Sequence, residues 1–255
     1  MKRATLVRAL LVLAAVSGQR LAAQIPVDVV VPGNSAGPSI HDVAAWFAMM
    51  ATPYGSLPPV VTRTMAGRST AAPAHSAFEL RYGRFAFEGS NDAVHTGGVG
   101  MRFGALGTVI GYQGCSGCDG SIMGAVDYEG VVVQQLLTGN GGRTLFIVGL
   151  RPEVGFARSL RRSNDASAIS ANIDVPISVA VPVGRAARMV PFVSPGYGLG
   201  AIRGGGTNES GTRGSIAFGV ALVDLSPGLG INLGWRKVFL DQAPMTIGVS
   251  LSFDR

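Results

Sequence analysis

Few residues of this chain have side chains and spacing suited to catalysis. It carries three histidines, His41, His75 and His95, and two cysteines among 255 residues. Cys115 and Cys118 stand in the stretch GCSGCDG. A redox pair with this spacing sits where a strand meets a helix in a thioredoxin-like unit, and no such unit surrounds it. Covalent haem attachment of the c type needs a histidine after the second cysteine, where Asp119 stands. In an oxidising compartment the pair reads as a local disulfide. It is worth about 2 kcal/mol before strain, because the loop it closes is so small.

The remaining candidates are weaker still. His95 has Asp92 nearby, which raises a hydrolase, but two neighbours in one loop do not make a base and its orienter. Glycine patterns begin at Gly98 (GVGMRFG), Gly196 (GYGLGA) and Gly228 (GLGINLG). A dinucleotide fingerprint must follow a strand and open a helix, and none of the three does. No residue is assigned to catalysis, a cofactor or a metal, and no cofactor is implied.

The elements that carry these residues begin after an export signal. Lys2, Arg3 and Arg8 precede the apolar run ALLVLAAV, and the small-residue ending LAA closes at Ala23. Residues 1–23 thus have the three-part layout of a signal peptide, with a core too short to cross a membrane as a helix. Cleavage after Gly18 is the alternative. Without Lys2, Arg3, Arg8 and Arg20 the 21 basic residues become 17 against 15 acidic ones, and the net charge falls from +6 to +2. No basic element remains on which nucleic acid would bind, apart from RSLRRSND at 158–165. Charged residues are only 14% of the chain, far fewer than in an ordinary soluble domain, about 25%. No window after the signal reaches the roughly 20 apolar residues of a spanning helix.

Residues 24–76 are rich in Pro, Ala, Ser and Thr. They contain one short helix candidate, HDVAAWFAMMA, with Ser39 as its cap. This segment is either a periplasmic leader, the preferred reading, or a plug. From residue 77 the pattern is strand and turn. In ISANIDVPISVAV, Ile169, Ala171, Ile173, Val175, Ile177, Val179 and Val181 share one face. Thirteen residues of period two exceed an ordinary strand of about 5–6 residues and cover the roughly 9–11 that a tilted transmembrane strand needs. Ten strands are expected, near 77–88, 96–104, 107–113, 121–133, 143–157, 167–182, 188–203, 213–223, 229–238 and 244–253; eight is the alternative. The connections alternate between compact turns, such as DLSPG, and longer polar ones, such as RSLRRSNDA. Only the fourth, QQLLTGNGG, is too long for its place.

Parity then assigns the charges. Arg102, Asp127, Glu129, Asp174 and Arg236 point to the polar side, with Asn172 and Asn232. Both signs in a narrow barrel suggest ion pairs that fill the interior; a polar channel lining is the competing reading.

The signal peptide, the even strand count and the ending TIGVSLSF, with Ile247, Val249, Leu251 and Phe253 alternating up to a terminal aromatic, make the chain resemble the small OmpA-like or general outer-membrane β-barrel superfamily of Gram-negative bacteria. The resemblance covers 77–253. It implies an all-β, closed, antiparallel up-and-down transmembrane barrel over 77–255, behind a mostly irregular N-terminal segment with one short helix. It further implies localisation in the outer membrane, with lipid, periplasmic chaperones and the barrel-assembly machinery as partners. Those four residues would be the assembly signal, although Asp254 and Arg255 follow the aromatic. The function expected is non-enzymatic, structural or through surface loops. A narrow porin-like channel is the alternative, and an outer-rim hydrolase built on His95 is a third reading. No extracellular ligand can be read from the loops.

Overall fold

The computed structural model describes residues 38–62, 65–66, 76–86, 93–115, 120–137, 144–160, 166–183, 187–204, 207–226, 228–240 and 243–254. Two helical pieces come first, α1 (Ile40–Ala51) and α2 (Pro53–Ser56). Twelve strands follow: β1 (Ser76–Ala86), β2 (Ala93–Phe103), β3 (Leu106–Gly114), β4 (Ser121–Tyr128), β5 (Gly130–Leu137) and β6 (Thr144–Ser159), then β7 (Ser167–Asp174), β8 (Ile177–Pro182), β9 (Arg188–Gly204), β10 (Thr207–Ser226), β11 (Leu229–Val238) and β12 (Thr246–Asp254).

Ten of these strands form a closed antiparallel ring. It runs β1, β2, β3, β4, β6, β7, β9, β10, β11, β12, and β12 pairs back onto β1. The two further strands continue their predecessors: β5 extends β4 along the first half of β6, and β8 extends β7 between β6 and β9. Ten staves is thus the arrangement expected from the period-two segments.

Following the register once around the ring returns to β1 displaced by about 12 residues, the stagger of strongly tilted strands. Ten strands at that tilt enclose a cylinder about 20 Å across between backbones. An α-helix with its side chains is about 10–12 Å wide, so one fits if the wall side chains are small.

The thirteen-residue alternation is corrected in one respect, because it is two strands rather than one. Pro176 has no N–H to give the ladder, and the chain breaks at Val175 and Pro176. There Val175 N–H reaches Pro195 O (2.9 Å) and Gly149 N–H reaches Pro176 O (2.8 Å). The face is kept across the break, with Ile173 outside and Asp174, Ser178 and Ala180 inside. The overlong fourth connection also resolves: Gln134–Leu137 belong to β5, so only 138–143 connect it to β6. β5 is exposed on both faces and, among the described residues, pairs only with β6.

The exterior is apolar, and the polar and charged side chains turn inward, where they share the interior with apolar clusters such as Val190, Phe192 and Val223. Phe78, Leu80, Val99, Met101, Ile110, Ile173, Leu199, Phe218 and Leu233 are exposed, while the alternate positions Glu79, Arg81, Arg102, Asp127, Ser170, Asn172 and Asn232 are buried. Phe218 and Trp235, paired across β10 and β11, stack at 5.4 Å on the outer face. Among the described residues no helix is long and apolar enough to cross a membrane.

Candidate functional site

The lumen holds the chain's own N-terminal segment. Residues 38–66 fall within the stretch read preferentially as a leader, and the described part of them lies inside the barrel as a plug. α1 starts with a capping box: Ser39 Oγ accepts from Asp42 N–H, and Asp42 Oδ2 accepts from Ser39 N–H at 3.0 Å. Its sequence is apolar nearly all round, which suits a helix surrounded by protein. Ala44, Ala45, Trp46, Ala48, Met49 and Met50 are buried. Thr52 ends the helix, Pro53 opens α2, and the chain then extends through Leu57 to Thr62.

Wall glycines make the fit. A Cβ on Gly200 would stand 2.7 Å from Ala48 Cβ and 2.6 Å from the Ala45 carbonyl, and one on Gly211 would strike the His41 carbonyl. Gly155 faces Thr52 in the same way, and Gly248 faces Pro58.

The helix ends of the plug and the run that follows them have backbone groups that need partners, and wall side chains supply them. Gln113 Nε2 donates to Met50 O (3.1 Å), Thr246 Oγ1 to Gly55 O (2.7 Å) and Asn232 Nδ2 to Pro59 O (2.6 Å). Arg151 Nη1 donates to Val60 O (3.4 Å), Ser178 Oγ to Met65 O (3.0 Å) and Arg188 Nη1 to Ala66 O (2.6 Å). Pro58 and Pro59 bring no N–H that would need an acceptor. Side chain to side chain, Thr52 Oγ1 and Ser170 Oγ lie 2.8 Å apart, and Thr62 Oγ1 donates to Glu129.

The five charges assigned to the lumen all lie in it, each no more than 6% exposed. Arg102 Nη2 reaches Asp127 Oδ1 at 2.6 Å, and Arg236 Nη2 reaches Asp174 Oδ2 at 2.6 Å. Glu129 is held by the plug hydroxyl of Thr62. Four further buried charges belong to the same system and escaped the parity count. Glu79 pairs with Arg81, Arg151 Nη2 reaches Asp127 Oδ2 at 3.1 Å, and Glu153 lies buried beside them. Their signal was present, since Glu79 and Arg81 alternate with Leu80 and Tyr82, and Arg151 and Glu153 with Leu150 and Val154. Tyr54, from the plug, joins them: its hydroxyl lies 2.6 Å from both Asp174 Oδ1 and Ser215 Oγ, and the Arg236 guanidinium sits 3.9 Å over its ring. A void of about 10 Å³ between Pro59, Val61, Arg151 and Ser194 leaves room for about one water molecule.

Outside the lumen, Ile247, Val249 and Phe253 face outward and Leu251 shares their side. β12 is the seam between β1 and β11, and Phe78 and Phe253 approach at 6.4 Å between ring centres. His95 Nδ1 lies 2.6 Å from Tyr82 Oη on the exposed face, whereas Asp92 and His75 lie outside the described residues. Cys115 ends near β3, Cys118 lies outside the described residues, and no described cysteine is free.

No family model matches the chain, and no curated protein does. Among solved structures it is similar to Ail, the attachment invasion locus protein of Yersinia pestis, with 13% identity over 71% of this chain and 99% of that one, TM-score 0.32. It is also similar to Neisserial surface protein A, with 8% identity over 70% and 95%, TM-score 0.31. The fold is defined by the chain's own pairing: a closed, ten-stranded antiparallel β-barrel, apolar outside, with its charged side chains turned inward, and filled by the described part of its N-terminal segment.

Proposed function

We propose that the protein is a bacterial outer-membrane barrel that is closed to solutes and acts non-enzymatically, through the face carrying its longer loops or as a structural part of the envelope. The apolar exterior supports residence in lipid, since a soluble barrel has no use for exposed Leu80, Val99, Ile110 and Leu199 around its waist. Closure of the ring supports the same reading, because a sheet edge in hydrocarbon leaves backbone groups without partners. With the compact turns facing the periplasm, the mouth at which β1 ends at Ala86, β3 at Gly114 and β6 at Ser159 faces outward. Export by the signal at 1–23, and delivery by chaperones to the assembly machinery through Ile247, Val249, Leu251 and Phe253, belong to this proposal.

The observation that carries it is the plug. Its carbonyls are bonded by wall side chains from β3, β6, β8, β9, β11 and β12, so the polar side chains of the wall serve the plug. Planar-bilayer recording tests this. The intact protein is expected to show no stable conductance, and the variant lacking residues 38–66 is expected to conduct. A large, steady conductance from the intact protein would overturn the closed-barrel reading in favour of the narrow porin-like channel.

A further inference from the structure

We infer that the protein is threaded through its own lumen, so that the chain preceding Ser39 emerges on the same side of the membrane as the longer loops. The two ends of the plug lie at opposite mouths. At the first, Ile40 is 63% exposed, His41 Nδ1 lies 3.0 Å from Glu209 Oε2, and Asp42 pairs with Arg213. Glu209 and Arg213 sit on β10 just after its connection from β9, a connection of the loop side. At the other end Ala66 is held by Arg188, the first residue of β9 after the compact turn from β8. β1 then starts at Ser76 opposite Phe103, beside the Gly104–Ala105 turn, also of the compact-turn side. Between these mouths the chain descends through α1, about 18 Å of helix, then α2, then the extended run to Thr62.

A return of the preceding chain beside α1 is excluded by volume. One side of the helix is in backbone contact with Gly200 and Gly211. On the other, Trp46, Met49 and Met50 pack against Phe85 and Val238, with Phe47, Val94 and Leu240 around them. A cylinder about 20 Å across holds one helix and its wall side chains, and no second strand. Ser39 and Ile40 are therefore presented at the loop-side mouth, where the ion pair Asp42–Arg213 anchors the start of the plug.

This inference rests on the membrane orientation proposed above, and the test separates the two. Single cysteines are placed at Ser35→Cys, Asn164→Cys in the β6–β7 loop and Ala186→Cys in the β8–β9 turn, each in a Cys115→Ser, Cys118→Ser background. Intact cells are treated with a membrane-impermeant maleimide, before and after permeabilisation. Position 35 is expected to label in intact cells as fully as 164, with 186 labelled at least tenfold more after permeabilisation. Labelling of 164 with protection of 35 overturns the threading. If 186 labels in intact cells and 164 does not, the orientation is wrong; 35 behaving like 164 then still supports the threading, and 35 behaving like 186 overturns it as well.

Discussion

The hydroxyl of Tyr54 donates a 2.6 Å hydrogen bond to Asp174 Oδ1, joining the plug to the wall across 120 positions of sequence. The other carboxylate oxygen of Asp174 takes Arg236 at 2.6 Å, and Arg236 in turn covers the Tyr54 ring. The three side chains close a triangle, so the charge pair inside the barrel and the seating of the plug are one interaction system.

Tyr54→Phe is expected to destabilise the protein by about 1–3 kcal/mol, because it leaves Asp174 Oδ1 and Ser215 Oγ buried without their partner while the ring over Arg236 is kept. The urea midpoint in detergent micelles reads this. Tyr82→Phe, which removes only the exposed contact with His95, serves as the comparison and should shift it far less.

Gly200→Val should displace α1, since the new side chain meets Ala45 and Ala48 backbone and Cβ atoms at under 3 Å. In a Trp235→Phe background the emission of Trp46, 2% exposed, should move to longer wavelength, and bilayer conductance should appear. Gly97→Val meets nothing within 4 Å and should leave both unchanged. A blue-shifted, non-conducting Gly200→Val would show that the wall glycines do not seat the plug.

Ile173→Arg places a charge on the outer face of β7, where it should cost about 2–4 kcal/mol if that face lies in lipid. Leu136→Arg should cost under about 1 kcal/mol. Among the described residues β5 pairs only with β6, and a strand edge in hydrocarbon would leave backbone groups unpaired, so β5 is expected beyond the apolar belt. Folded yield in lipid vesicles, followed by heat-modifiable gel mobility, distinguishes the two; equal yields would contradict the placement of the belt.

Cys115 and Cys118 should resist thiol labelling in unreduced outer membranes, and reduction should leave the barrel folded, because so short a loop is worth only about 2 kcal/mol. Two readily labelled thiols would rule the disulfide out.

Period two in the sequence determined the ten staves and their faces, but not the breaks that divide two of them into β4 with β5 and β7 with β8. Each stave answers to one solvent outside and another inside, and that contrast is written locally, as in Glu79 and Arg81 set between Phe78, Leu80 and Tyr82. The inward direction of Arg102, Asp127, Glu129, Asp174 and Arg236 followed from the same alternation. Tertiary structure alone decided what fills the lumen. HDVAAWFAMMA reads as an apolar helix wherever it lies, and nothing local to it names Gly200, Gly211 or Gly155, which stand more than 100 positions away and accept it only once the ring has closed. The partners of the charges were hidden for the same reason. Asp174 can choose Arg236 and Tyr54 only when the barrel brings β7, β11 and the plug within hydrogen-bond reach, and hydrogen bonds act over about 3 Å of space, not along the chain.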